Sequence, residues 1–235
     1  MPYTYVARGA YNTGPMSSPL IDLLRSDPLA FLLLAVSIIF AIALHEFAHA
    51  WAADMQGDRL PRAMGRLSLN PARHLDPLGT IFIVLIGFGW GKPVEFRPTA
   101  LRSKRFGGAI VALAGPGMNL VLAFVGAVGA RLVGVSVDPL GFLSLPSGVA
   151  GQFGTFFLTF SSINVILAVF NLIPLPPLDG SRLLTIFLPP SKQKIIYFLD
   201  RYGFFILLGL VFFGGFTVLQ PLIIDIQRFV LGTVL

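Results

Sequence analysis

The chain has 235 residues, of which 55% are apolar and only 12% are charged, and its mean hydropathy is positive. This composition excludes an ordinary soluble globular protein and predicts a membrane protein. The chain has no cysteine, which excludes disulfides and thiolate metal sites, so any zinc would need nitrogen and oxygen ligands. The formal charge of +6 does not predict nucleic-acid binding, because the basic residues form no stripe on a soluble face.

The first 27 residues show no basic segment that runs into a short apolar core and a small-residue cleavage site. We therefore do not interpret them as a cleaved signal. We expect residues 1–27 to form a leader that is mobile or lies at the membrane interface. Residues 28–235 are predicted to form a single membrane-embedded domain.

Four segments are apolar and long enough to cross about 30 Å of hydrocarbon, which takes roughly 20 helical residues. They cover residues 28–53, 107–130, about 152–172 and about 202–219. The predicted fold is an all-α polytopic membrane protein, with a core of three spans and one or two C-terminal helices. Residues 221–235 follow a proline and are either interfacial or partly inserted. The sequence leaves that choice open.

One apolar segment, residues 77–91, is too short for a full span and is rich in glycine and β-branched residues. It predicts a small re-entrant or β-hairpin element near residues 77–96. Such a backbone is tolerated at membrane depth only where protein or a wet cavity covers it. We therefore expect this element to lie against the helices.

The basic residues indicate the orientation in the membrane. Nine of the seventeen lie between the first two spans: Arg59, Arg62, Arg66, Arg73, Lys92, Arg97, Arg102, Lys104 and Arg105. The positive-inside rule places this loop in the cytoplasm, which puts residues 131–151 outside and returns the third span to the inner face. The segment after the third span is again basic, in agreement with that alternation.

The first span ends in the motif HEFAH, residues 45–49. On a helix, His45 and His49 lie one turn apart on one face, so both imidazoles can bind one metal ion. Glu46 lies beside the first ligand and can reach a water at the metal. This pattern is typical of zinc metalloproteases, in which the glutamate is the general base. The alternative is that all three are helix-end polar residues that reach towards the interface.

Zinc that is held by two histidines needs a third protein ligand and an open position. The candidates are His74, Asp54, Asp58, Glu95 and Asp179. The two aspartates directly after the helix are poorly placed to fold back onto it. Glu95 lies among basic residues, where a solvated ion pair is the ordinary expectation. His74 is simpler to explain as a loop histidine in a turn. We keep it as the second choice for the third ligand.

Asp179 is the favoured third ligand, since it is the first charge after forty uncharged residues. Pro174, Pro176 and Pro177 interrupt the third span just before it, at the end that should be level with HEFAH. The alternative is that Asp179 is the N-cap of a short helix that starts at GSRLLTIF.

The chain resembles the site-2 protease family of intramembrane zinc metalloproteases, in its small form without PDZ or CBS domains. The resemblance is carried by HEFAH, by AGPGMN in the second span and by NLIPLPPLDG in the third, and it covers roughly residues 44–215. It implies one zinc ion per chain with His45, His49 and Asp179 as ligands and Glu46 as catalytic base. It also implies single-span membrane proteins as substrates, cut within the lipid bilayer.

The resemblance implies two further polar positions, Asn119 in AGPGMN and Asn171 at the start of the proline-rich motif. Either asparagine is a candidate for binding substrate backbone or an oxyanion. For Asn119 the alternative is a hydrogen bond between helices. The family also suggests that residues 80–96 form strands whose edge binds unwound substrate by β-addition.

Two other functions are compatible with the same motif. One is a membrane metal transporter or metal-binding scaffold that uses the His and Asp cluster as an ion path. The other is a membrane metalloprotease that acts on prenylated tails, for which Asp179 would have no role.

Overall fold

The computed structural model describes residues 19–86, 89–103, 106–138, 142–187 and 193–235. These residues are predominantly helical. The α-helices are α1 (Pro19–Ser26), α2 (Pro28–Met55), α3 (Leu60–Ala63), α4 (Pro77–Ile86), α5 (Gly107–Leu132), α6 (Gly148–Asn171), α7 (Ser181–Phe187), α8 (Gln193–Phe212) and α9 (Gln220–Val234). Strands β1 (Ser136–Val137) and β2 (Leu143–Ser144) form a small antiparallel hairpin between α5 and α6.

Five of the helical segments are long and apolar enough to cross a membrane. They are Pro28–Met55, Gly107–Leu132, Gly148–Asn171, Lys194–Phe212 and Thr217–Val234. The predicted all-α polytopic fold, with a three-helix core and two C-terminal helices, is therefore confirmed. Of the predicted leader, residues 1–18 lie outside the described residues, and α1 covers Pro19–Ser26.

The start of α2 follows from two local signals in the sequence. The Asp27 side chain accepts a hydrogen bond from the Ala30 N–H at 3.0 Å, and Pro28 occupies the first helical position. An aspartate cap satisfies a free amide, and proline there loses no hydrogen bond. The helix runs for 28 residues, so HEFAH lies inside its last three turns.

Helices α5 and α6 pack side by side in opposite directions, and a close approach at Gly126 makes this packing possible. A Cβ atom on Gly126 would lie 2.9 Å from the carbonyl oxygen of Phe157. The Ser161 hydroxyl donates a hydrogen bond to the Ala123 carbonyl at 2.8 Å, which joins the two helices. Small and hydroxyl residues at a membrane helix interface allow such contacts.

Helix α9 packs against both α5 and α6 and runs parallel to α5. The Phe124 ring meets the Phe229 ring edge to face at 6.1 Å, and Arg131 donates to the Leu235 carbonyl at 3.0 Å. The contact that lies later on α5 also lies later on α9, so the two helices run in the same direction. Because α6 is antiparallel to α5, the start of α9 lies at the end of the bundle where α6 stops.

Helix α8 corresponds to the predicted fourth span but starts earlier, at Gln193 instead of about residue 202. The charged residues Lys194, Asp200 and Arg201 are part of the helix and are exposed. Their charges lie on the outside of the bundle, so they do not end the helix. The second half of α8 packs through Leu207 against the loop after α6.

The prediction of strands over residues 80–96 is wrong: residues 80–86 belong to α4, and the described residues 89–96 carry only an isolated bridge at Gly91. Asp76 explains the helix, since its carboxylate accepts a hydrogen bond from the Gly79 N–H at 2.8 Å and Pro77 follows it. The chain then turns back, and residues 89–91 return alongside the start of α4. An isolated antiparallel bridge between Leu75 and Gly91 closes this hairpin.

We call residues 75–97 the loop hairpin. It is tightly packed where its two arms meet, because a Cβ on Gly79 would lie 2.1 Å from the Trp90 carbonyl oxygen. The Trp90 ring contacts Phe82 within the hairpin and Phe204 on α8. The loop hairpin therefore connects α8 to the end of α2 where HEFAH lies.

Candidate metal centre

Three side chains from two distant parts of the chain meet at one point. The Nε2 atoms of His45 and His49 are 3.0 Å apart, as expected for positions one helical turn apart on α2. The Asp179 Oδ2 atom lies 3.0 Å from His45 Nε2 and 3.2 Å from His49 Nε2. Both histidines are 6% exposed and the Asp179 side chain is 24% exposed. These are the three side chains that the motif analysis favoured.

The loop after α6 brings Asp179 to the histidines. The helix ends at Asn171, whose carbonyl accepts a hydrogen bond from the Gly180 N–H at 2.6 Å. Gly180 is required there, because a Cβ would lie 2.3 Å from the Leu172 carbonyl oxygen. Leu175 and Leu178 are buried against Leu207 of α8, which fixes the loop.

Asp179 does precede α7 as the alternative interpretation supposed. Its backbone carbonyl accepts a hydrogen bond from the Arg182 N–H at 3.0 Å, which starts the helical turn. Its side chain, however, reaches His45 and His49. A polar carboxylate next to two imidazole nitrogens is a ligand arrangement, whereas an N-cap side chain would accept from amides of the first turn.

The remaining nitrogen of each histidine is held by α5. His49 Nδ1 donates a hydrogen bond to the Val111 carbonyl at 2.7 Å, and His45 Nδ1 donates to Asn119 Oδ1 at 2.5 Å. Such partners fix the ring orientation and leave Nε2 with its lone pair free. Both free nitrogens therefore face Asp179.

The residues present fit a zinc ion. Ligand atoms about 2.05 Å from a tetrahedral zinc ion lie roughly 3.3 Å from one another. The three donor atoms are 3.0 to 3.2 Å apart, close to that value. Two imidazoles and one carboxylate, without thiolate, also form a donor set that zinc accepts in catalytic sites. Within the described ranges, this is the one group of three metal-binding side chains.

Gly115 lets α5 approach the histidines. A Cβ at this position would lie 2.4 Å from His49 Nε2 and 2.6 Å from His45 Cε1. Because real Cβ atoms do not approach so closely, any side chain here would displace the imidazoles. Gly117, on the same helix, has no neighbour within 4 Å of its Cβ position.

We expect Gly115→Ala to weaken zinc binding at least about tenfold, because the added methyl group pushes the ligand nitrogens apart. Zinc content of the purified protein after dialysis against a competing chelator measures this effect. The matched control is Gly117→Ala, which adds the same methyl group to α5 and should keep full zinc content. Equal zinc content in the two variants would contradict the placement of α5 against the ligands.

Glu46 lies next to the three candidate ligands and lines the same cavity. Its Oε1 atom is close to Gly91 of the loop hairpin, where a Cβ would lie 3.1 Å away. Among the described residues, none donates a hydrogen bond to its carboxylate. A carboxylate that is not committed to a structural partner is available for proton transfer.

A cavity of about 890 Å³ opens from this group of side chains. Its walls come from α2, the loop hairpin, α5, α6, α8 and α9, and they are mostly apolar. The polar and charged side chains among its lining residues are few: His45, Glu46, His49, Asn171, Asp179 and Arg182. A mainly apolar cavity with a few convergent polar groups is the usual form of a substrate site.

The other candidates for the third ligand are held elsewhere. The Asp54 carboxylate pairs with Arg59 at 3.1 Å and with Arg62 at 2.7 Å. Asp58 is fully buried and accepts hydrogen bonds from the backbone N–H and the guanidinium of Arg97. Burial alone would raise the pKa of Asp58, but these hydrogen bonds lower it below its ordinary value. Both aspartates therefore stabilise the basic loop.

His74 is also a structural residue. It is fully buried, and its Nε2 donates a hydrogen bond to the Ser68 carbonyl at 2.6 Å. Burial lowers the pKa of His74, because the charged form loses its hydration. Glu95 is exposed in the loop hairpin. Neither residue belongs to the group around His45.

The two asparagines lie in different surroundings. Asn119 is fully buried behind His45 and is hydrogen-bonded at both ends of its amide, so the geometry supports the alternative of an interhelical bond over a substrate or oxyanion contact. Asn171 lines the cavity, and its amide nitrogen donates to the Leu167 carbonyl at 3.0 Å. A role in substrate binding therefore stays a prediction for Asn171.

Two features of this site were missed by the motif analysis: the carbonyl of Val111 and the buried side chain of Asn164. Asn164 accepts a hydrogen bond from Asn119 at 2.8 Å. Its signal was present in the sequence, since asparagine in the middle of a membrane span must find a partner. That partner could not be identified without the packing of α5 on α6.

Comparison with known sequences agrees with this geometry. A sequence profile of peptidase family M50 matches residues 33–138 and 138–210, which is most of the chain. The chain belongs to peptidase family M50. No solved structure matches it.

Relatives of this M50 peptidase have been named in bacteria. This chain is 38% identical over 177 residues to "Putative zinc metalloprotease YwhC" of Bacillus subtilis. The aligned region covers 75% of this chain and 78% of that protein. This chain is also 32% identical over 189 residues to "Putative zinc metalloprotease Rip2" of Mycolicibacterium smegmatis. That aligned region covers 77% of this chain and 67% of the relative.

The family and these names confirm the predicted site-2 protease resemblance. The chain is a zinc metallopeptidase, and its apolar helices make it a multi-pass membrane protein. The transporter alternative is thereby set aside.

Proposed function

We propose that this M50 peptidase hydrolyses peptide bonds of single-span membrane proteins within the bilayer. His45, His49 and Asp179 would hold one zinc ion per chain, and Glu46 would be the general base. The observation that carries this proposal is the position of the buried ligand group and Glu46 on a large apolar cavity between membrane-spanning helices.

The chemistry divides between the zinc ion and the chain. When bound, zinc acts as a Lewis acid that polarises the scissile carbonyl and lowers the pKa of water. The Glu46 carboxylate accepts the proton of the attacking water and later delivers it to the leaving amine. The hydrogen bonds from His45 and His49 to α5 keep both imidazoles in place throughout.

Substrate binding requires local unwinding, because a helix hides its peptide bonds in its own hydrogen bonds. Residues 92–97 of the loop hairpin carry no helix or strand, and Pro93, Val94 and Phe96 line the cavity. A segment of this kind offers backbone groups that an extended substrate can pair with. Asn171, which also lines the cavity, is proposed to hold substrate backbone.

Asp179 also argues against the protease of prenylated tails. In that alternative the proline-rich segment has no role at the metal. Here it ends with its carboxylate against both histidines. The intact HEFAH and LDG motifs also argue against a catalytically dead protein.

The test is cleavage of a single-span model protein by the purified full-length chain in lipid vesicles. We expect products that are cut inside the spanning segment, located by mass spectrometry. A zinc chelator should stop cleavage and added zinc should restore it. Cleavage confined to parts of the substrate outside the bilayer would contradict the proposal.

We also propose that the site faces the cytoplasmic side. His49 lies six residues before the end of α2, or about 9 Å along the helix, and the basic loop follows immediately. Loops that are rich in Lys and Arg and follow the end of a span are usually on the cytoplasmic side of the membrane. The active site would therefore lie within the bilayer but near its inner face.

The absence of cysteine makes this orientation easy to measure. Ser103 and Ser147 are both exposed and lie in loops at opposite ends of α5 and α6. In intact cells, a membrane-impermeant maleimide should label Ser147→Cys at once and Ser103→Cys only after permeabilisation. The reverse pattern would place the site near the outer face.

A further inference from the structure

A chain of three hydrogen bonds connects His45 to the backbone of α6. His45 Nδ1 is 2.5 Å from Asn119 Oδ1, and Asn119 Nδ2 is 2.8 Å from Asn164 Oδ1. Asn164 Nδ2 is in turn 2.8 Å from the Phe160 carbonyl oxygen. Both asparagine side chains are fully buried. We call this series the amide relay.

The direction of every bond in the amide relay is set by its last member. The Phe160 carbonyl can only accept, so Asn164 must present its NH₂ group to it and its oxygen to Asn119. Asn119 must then donate with its own NH₂ group, which leaves its oxygen facing His45. His45 must therefore carry a hydrogen on Nδ1, so the lone pair of its neutral imidazole, the form that binds a metal, is on Nε2.

We propose that Asn164 is a positioning residue that, through Asn119, holds His45 in the tautomer with its hydrogen on Nδ1 and Nε2 free to bind the metal. His49 reaches the same state more simply, because its Nδ1 donates directly to the Val111 carbonyl. Both imidazoles are thus fixed by a main-chain carbonyl, one directly and one through two amide side chains.

Loss of Asn164 would change the state of His45 without touching it. The Asn119 NH₂ group would have no acceptor in a buried site, and an unpaired amide there is unfavourable. If Asn119 turned over to present NH₂ to His45, then Nδ1 would have to accept and the hydrogen would move to Nε2. That hydrogen would face Asp179 and block metal binding at this nitrogen.

The effect on zinc rests on the proposed function. We expect Asn164→Leu to weaken zinc binding 10- to 100-fold, as is usual when a partner of a metal-binding histidine is removed. Asn164→Asp should restore much of the affinity, since its carboxyl group offers an acceptor oxygen to Asn119 in either protonation state. Competition with a chromophoric chelator measures these dissociation constants for the full-length chain.

Ser161→Ala is the matched control. Ser161 lies one turn before Asn164 on α6, is 2% exposed and makes its own hydrogen bond to α5. Its loss removes an interhelical bond but leaves the amide relay intact, so zinc affinity should be unchanged. If Ser161→Ala and Asn164→Leu weakened zinc binding equally, Asn164 would be only a packing residue and the proposal would fail.

A spectroscopic measurement tests the tautomer directly. The chain has 3 histidines, so ¹⁵N-histidine labelling of the zinc-loaded protein in micelles gives few signals. His45→Gln identifies the resonances of His45. We expect a protonated Nδ1 and a metal-bound Nε2 in the wild type, and a changed Nδ1 signal in Asn164→Leu. An unchanged Nδ1 signal in that variant would overturn the proposal.

The wild-type spectrum keeps the proposal testable even if Asn164→Leu does not fold. Metal bound to Nδ1 of His45, with the hydrogen on Nε2, would overturn the amide relay alone. A wild-type protein that binds no zinc would instead refute the proposed function, whatever the state of Asn164.

Discussion

Glu46→Gln should reduce peptide cleavage by about 10²- to 10⁴-fold while zinc content stays at the wild-type level. The amide has nearly the shape of the carboxylate but cannot accept the proton of the attacking water. Glu46 is close to the three candidate ligands without being one of them, so its replacement should not release the metal. Cleavage of a single-span substrate and elemental analysis of the same preparation measure both quantities.

The chain offers a matched control for this variant, because its only other glutamate is Glu95. Glu95 is exposed on the loop hairpin and does not line the cavity. We expect Glu95→Gln to cleave substrate at the wild-type rate. Full activity of Glu46→Gln, or its loss of zinc, would show that Glu46 is not the base.

Asp179→Ala should lose both zinc and activity, since it leaves two histidine ligands in a site built for three. We expect zinc affinity to fall by more than about 100-fold, beyond the effect usual for an outer partner of a ligand. Elemental analysis after chelator dialysis measures the loss. The expected order of affinities is wild type above Asn164→Leu and Asn164→Leu above Asp179→Ala.

Asp200→Ala is the control for this second variant. Asp200 is exposed on α8 and lies away from the ligand group, so its removal should change neither zinc content nor cleavage. If Asp179→Ala kept its zinc, the carboxylate would have another role and the protease of prenylated tails would regain support.

The three candidate ligands could be identified from the sequence because each carries a strong local signal. His45 and His49 have the spacing of one helical turn at the end of an apolar span. Asp179 stands out as an isolated charge behind three prolines. The sequence pattern alone could not exclude that Asp179 is an N-cap, because only the folded loop shows where its carboxylate points.

The loop hairpin shows where pattern was misleading. Its β-branched and glycine-rich sequence favours strands, but Asp76 and Pro77 supply a helix start just before it. A strand also needs a neighbour along its length, and among the described residues of the hairpin the two arms form a bridge only between Leu75 and Gly91. The capping signal was visible in the sequence and decides the structure of this segment.

The partners of the ligands could not be predicted in the same way. Contacts of Asn119 with Asn164, and of Gly115 with His49, join residues that are far apart in sequence. They depend on how α5 lies between α2 and α6. A single sequence gives the apolar surfaces of these helices but not their relative rotation.

The central claim is that two imidazoles of α2 and one carboxylate from the loop after α6 bind a single zinc ion. X-ray absorption spectroscopy at the zinc edge of the purified full-length protein tests it most directly. We predict nitrogen and oxygen ligands at about 2.0 to 2.2 Å with outer-shell scattering from two imidazoles in the wild type, and no bound zinc in Asp179→Ala after the same dialysis. A wild-type spectrum with one imidazole or three, or an Asp179→Ala variant that keeps its zinc with the wild-type spectrum, would contradict the claim.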